Sequence, residues 1–65
     1  MTGATERPKI LRVCLGPTTI GGSNEIEVSL VGDLSYTLFG TPEEAEAVAA
    51  NAGLRPVPGR SGEWR

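Results

Sequence analysis

Residues 41–54, Thr-Pro-Glu-Glu-Ala-Glu-Ala-Val-Ala-Ala-Asn-Ala-Gly-Leu, specify a helix together with both of its ends, and no other stretch of the chain does. Thr41 suits the N-cap, Pro42 the first helical position, and Glu44 completes a capping box three residues after the cap. Glu43, Glu44 and Glu46 set negative charge against the positive end of the helix dipole. Gly53 supplies the left-handed residue that stops a helix, with Leu54 folding back over Ala49. The spacing predicts a helix over 42–52 whose inner stripe is Ala45, Val48, Ala49 and Ala52, all small or medium-sized. With one helix available, the remaining apolar runs have to be strands, and the helix has to lie across them.

Three such runs precede it. Lys9-Ile10-Leu11-Arg12-Val13-Cys14-Leu15 is bounded by Pro8 and by Gly16-Pro17, and a period of two puts Leu11, Val13 and Leu15 on the core face, with Ile10, Arg12 and Cys14 on the other. Glu25-Ile26-Glu27-Val28-Ser29-Leu30-Val31 alternates cleanly, as a strand in a sheet covered on one side does. Ser35-Tyr36-Thr37-Leu38-Phe39 is the third. A loop over 32–34 pairs Leu30 with Tyr36 and Val28 with Leu38, keeping the apolar face continuous. Residues 16–24 are dense in turn formers, and the lysine, spaced glycine and following helix of a phosphate loop are missing. Ile20, within that loop, either tucks back onto the sheet or is an exposed contact.

After the helix, Pro56 and Pro58 interrupt any regular ladder, and Val57 has room only for a short edge strand or a polyproline segment. Trp64 either covers the core or anchors a partner. The expected fold is α+β: a three-stranded antiparallel meander with one helix on one face. Residues 8–58 form the domain, 1–7 a flexible N-terminal tail and 59–65 an irregular C-terminal tail.

Sixty-five residues bury a small core, and natural domains of this size gain stability from disulfides, a metal or a partner chain. Cys14 is the only cysteine and there is no histidine, so a disulfide within the chain is impossible and a zinc site would need an unusual ligand set. A partner chain is what remains, and a homodimer is the expectation. Charge is uneven: +2 over residues 1–16, −6 over 17–54 and +2 over 55–65, for a net −2. This distribution disfavours a broad phosphate-binding face. No apolar run approaches a membrane span and the first residues lack the core of a signal peptide, so the expected location is cytoplasmic, without membrane contact.

Catalytic candidates are few. Cys14 has no histidine to activate it and reads as a small hydrophobe on a strand. Glu25 and Glu27 stand about 7 Å apart on one strand face, a spacing a pair of catalytic carboxylates could use, but the same pattern is an ordinary solvated face. Asp33 is alone in its loop and no calcium-loop spacing is present. No enzyme activity, cofactor or metal is expected. The outer sheet face is more informative, because Ile10, Cys14 and Phe39 fall there with Ser29, Thr37 and Val31, and an apolar cluster on a face due to be polar marks a contact surface.

Three strands followed by a helix, with Phe39-Gly40-Thr41-Pro42-Glu43-Glu44-Ala45 at the junction, resembles integrase arm-type and ethylene-response-factor-type DNA-binding domains. That resemblance implies a sheet laid in the major groove by basic and aromatic side chains; here the face carries Arg12 beside Glu25 and Glu27. The helix at 41–50, followed by Gly53-Leu54 and Val57, is also similar to half of a SPOR-type peptidoglycan-binding domain, whose second half is missing.

The reading is therefore a small non-enzymatic protein-interaction or regulatory module that self-associates. It meets a protein partner through the outer sheet face, an edge strand or the C-terminal tail, with Ile10, Cys14, Phe39 and Trp64 as contact residues. The alternative is a nucleic-acid-binding module using Arg7, Lys9, Arg12, Arg55, Arg60 and Arg65, which requires these bases on one surface.

Overall fold

The computed structural model describes residues 9–65, so the expected tail at 1–7 lies outside the described residues. The elements are β1 (Ile10–Thr18), β2 (Asn24–Leu30), β3 (Leu34–Gly40), α1 (Pro42–Asn51) and β4 (Glu63–Trp64). The strands form one antiparallel sheet in the order β3-β2-β1-β4. The α+β expectation holds, and the meander gains a fourth strand from what the sequence presents as an irregular tail.

α1 begins and ends as its sequence dictates. The Thr41 hydroxyl accepts from the Glu44 amide at 3.1 Å while the Glu44 carboxylate accepts from the Thr41 amide at 2.7 Å. At the other end Leu54 N–H donates to Ala49 C=O and Gly53 N–H to Ala50 C=O, the pair of bonds that defines a Schellman motif, with Gly53 at φ 78°. Leu54 packs onto the core as the accompanying apolar contact. Gly40 makes room for the cap: a Cβ there would stand 2.6 Å from the Glu44 carboxylate oxygen.

The core consists of Val13, Ile26, Val28, Ala45 and Ala49, with Ile10, Leu15, Leu30, Val48, Leu54 and Trp64 packed around it. Val13 lies opposite Val28, and Leu15 opposite Ile26. The small residues at 45 and 49 let α1 come close to the sheet, where it sits chiefly over β1.

Two registers differ from expectation. A bulge between Ile10 and Arg12 leaves Leu11 as the extra residue, so Ile10 pairs with Leu30 and joins the core side while Leu11 is exposed. This reverses the expected faces of Ile10 and Leu11, because one inserted residue flips every side chain beyond it. The β2–β3 connection is residues 31–33, and it pairs Leu30 with Leu34, Val28 with Tyr36 and Ile26 with Leu38. The apolar face stays continuous, but the three-residue loop sits one residue earlier than 32–34, which moves the partner of each β2 residue by two positions. Gly32 and Asp33 both take left-handed φ, 88° and 61°, which closes the three-residue turn around them. At the opposite hairpin Ile20 is fully exposed at the tip. There the Asn24 amide holds the irregular end of β1, donating to Gly16 C=O and to the Thr18 hydroxyl, each at 3.2 Å.

Candidate functional site

The two edges of the sheet are built differently. Beyond β4, residues 55–57 run antiparallel to it: Arg55 and Arg65 exchange backbone hydrogen bonds, Val57 N–H donates to Glu63 C=O, and Pro56 bridges Trp64. This outermost segment carries Pro56 and Pro58, residues that cannot extend a ladder, and so it closes that side of the sheet.

β3 closes nothing. It is seven residues long, pairs with β2 without a bulge, and contains neither proline nor a charged side chain. Only Gly40 of the strand is buried. Leu34, Tyr36 and Leu38 lie on the helix side of the sheet yet remain 57%, 41% and 38% exposed. The reason is the width of the helix. An α-helix is about 10 Å across and strands lie about 4.8 Å apart, so one helix covers roughly two strands, and α1 is centred on β1. The result is an apolar shelf along an open edge, lacking the charge, proline, bulge or cover with which soluble proteins usually guard an edge strand.

The phase of the ladder identifies the free backbone groups. Val31 N–H donates to Lys9 C=O on the β1 side at 3.0 Å. Odd-numbered residues of β2 therefore address β1 and even-numbered ones address β3. Across the β2–β3 register, Ser35, Thr37 and Phe39 are left with N–H and C=O directed away from the sheet.

Of the four expected contact residues, Ile10 and Trp64 belong to the core side, Trp64 lying opposite Val13. Cys14 is half-buried on the outer face between Glu27 and Glu63. Phe39, opposite Glu25, is 66% exposed. The four do not form a cluster. The outer face is mainly polar, and the exposed apolar surface that the sequence reading missed is Leu34, Tyr36 and Leu38. The signal for it was present in the narrow Ala45–Ala49 stripe, which suits a helix able to cover only part of a sheet.

The basic residues divide differently. Arg7 lies outside the described residues, and Lys9 is exposed where β1 begins. Arg12, Arg60 and Arg65 converge on the Glu63 carboxylate at 4.0, 3.4 and 2.8 Å, and Arg55 is paired through its backbone with Arg65. Glu63 is only 9% exposed in its side chain. The hydrogen bond from Arg65 is the main cause holding its carboxyl below the ordinary value of 4.5; burial works against this, and the charges of Arg65, Arg60 and Arg12 add to it.

A carboxyl whose pKa is lowered by folding adds stability above its ordinary value and loses it as pH falls through the lowered one. Below pH 4.5, protonation of Glu63 should release β4 from β1, and the emission of Trp64, the only tryptophan, should report it. Glu63→Gln should remove the step. An acid limb that is unchanged in this variant would assign the transition to another group.

An open cleft of about 310 Å³ lies between the start of α1 and β4, lined by Leu15, Trp64, Pro42, Glu43 and Glu46 among others. Among the described residues no three His, Cys, Asp or Glu side chains gather as a metal site, and no helix is long and apolar enough to cross a membrane. Comparison with protein-family models, with curated proteins and with solved structures gives no match.

Proposed function

We propose that this chain is a non-enzymatic protein-interaction module that takes a partner strand onto the open edge of β3. The observation that carries this reading is the asymmetry of the sheet: one edge is closed by a proline-bearing segment, while the other is a regular, uncharged seven-residue strand flanked by exposed Leu34, Tyr36 and Leu38. Strand addition supplies main-chain hydrogen bonds for affinity, and alternate side chains supply selectivity. The non-enzymatic part of the reading is supported by two features. Cys14 has no histidine in the chain to activate it, and the buried carboxylate of Glu63 is taken up by guanidinium groups. The test compares immobilised wild type with Tyr36→Lys, a substitution at an exposed site that leaves the core intact. Proteins retained from an extract of the source cells by wild type should be lost from the variant. Identical retention by both baits would contradict the reading.

A second reading is favoured by one observation, the convergence of Arg12, Arg60 and Arg65 at the β1–β4 end of the sheet. Three guanidiniums against one carboxylate leave net positive charge there, as a nucleic-acid surface needs. This reading predicts binding to a labelled duplex that weakens steeply with salt and weakens further in Arg60→Ala. Absence of binding at low salt would end it.

A further inference from the structure

The identity of the strand received by β3 can be taken further, on the basis of the edge reading above. We infer that the occupant is β3 of a second copy, added antiparallel about a twofold axis through Tyr36, so that two four-stranded sheets become one of eight strands.

Three observations select this partner. The first is charge. β3 carries none, so two copies can approach along its whole length without like charges meeting, whereas a charged peptide would find no complementary group on the strand. The second is hydrogen bonding. The free N–H and C=O groups of the strand include those of Ser35 and Thr37, both odd-numbered, and an antiparallel self-pairing that sets Ser35 of each copy opposite Thr37 of the other satisfies these groups on both edges at once. The third is the apolar pattern. Centred on Tyr36, the pairing sets Leu34 of each copy opposite Leu38 of the other and Tyr36 opposite itself, so every exposed apolar residue on the helix side of β3 gains a cross-strand partner. Centred on Thr37, it would set Leu34 opposite Gly40 and leave the leucine unmatched. The axis stands perpendicular to the sheet, both helices lie on the same side, and the two shelves merge into one apolar strip between them.

The paired stretch runs over residues 34–38 of β3, five residues or about 17 Å of strand. Such an edge sits at the small end of specific interfaces, under roughly 1,200 Å² in total, so the dimer should be reversible, with dissociation in the micromolar range.

Two measurements on the purified chain test this together. Sedimentation equilibrium or light scattering over about 1 μM to 1 mM should show mass rising from monomer to dimer, with Tyr36→Lys held at monomer by repulsion across the axis while its circular dichroism matches wild type. In a Cys14→Ser background, Tyr36→Cys should form an intermolecular disulfide on mild oxidation, because the residue on the axis meets its own copy at a non-hydrogen-bonded site. Thr37→Cys, which faces Ser35 of the other copy, should cross-link much more slowly. A dimer indifferent to Tyr36→Lys, or one linked readily through Thr37→Cys and not Tyr36→Cys, overturns the inference. So does a monomer at every concentration. If that monomer still loses captured protein on Tyr36→Lys, the edge reading stands with a different partner; if it does not, both fall.

Discussion

Replacing Ile26 with alanine is expected to lower stability by about 3 kcal/mol and the melting temperature by roughly 15 °C. Ile26 is 1% exposed, lies between Leu15 on β1 and Leu38 on β3, and belongs to the cluster through which α1 holds the sheet. Truncation removes three carbons from a core with few large side chains, and the backbone on either side is fixed by ladders that prevent collapse into the gap. A domain of this size has on the order of 3–10 kcal/mol in total, so the loss takes much of it. Leu38→Ala, on the same face one strand away but 38% exposed, should cost under about 1 kcal/mol. Urea titrations followed by circular dichroism check both. Equal losses at the two positions would mean that α1 reaches across β3 and that the shelf is covered.

The second large effect is expected at Gly62, which leads the chain into β4. It has φ 83°, its carbonyl accepts from Leu15 N–H at 2.7 Å, and an added Cβ would stand 3.1 Å from the Leu15 Cβ. Alanine there meets two penalties, the left-handed backbone and a contact with an atom attached directly to β1, for about 2 kcal/mol. Gly59 separates these terms. It has φ 78° and open space around its missing side chain, so Gly59→Ala should cost only the backbone term, about 1 kcal/mol. Because Trp64 pairs with Val13 two residues later, Gly62→Ala should also shift tryptophan emission to the red, and Gly59→Ala should leave it in place. If the two variants behave alike, β4 is not held against β1 by a close approach at Gly62.

What could be read from the sequence was local. Thr41, Pro42, Glu44, Gly53 and Leu54 fix the ends of α1 through contacts within a few residues, and the alternation of β2 needs no distant partner. Pairing over longer distances was less legible. Ile10 and Leu11 are adjacent and both apolar, so alternation alone cannot say which faces the core; the bulge decides. β4 is two residues long and docks on a strand some fifty residues earlier, so no periodic pattern marks it. Its local trace was the charge set of Arg60, Glu63 and Arg65, close in sequence and joined in space. The shelf was hidden for a related reason. The alternation of Leu34, Tyr36 and Leu38 says which side of the sheet they occupy, whereas their exposure depends on where a helix of limited width comes to rest.

Amide hydrogen exchange along β3, measured residue by residue at about 10 μM and 1 mM, tests the central claim most directly. The amides of Leu34, Tyr36 and Leu38 address β2 and should be equally protected in both samples. Those of Ser35 and Thr37 should exchange several-fold more slowly in the concentrated sample than in the dilute one, as a larger share of the chains pairs with a second copy. Rapid exchange at Ser35 and Thr37 in both samples, or a concentration-dependent gain confined to other strands, would contradict the assignment of β3 as the self-associating edge.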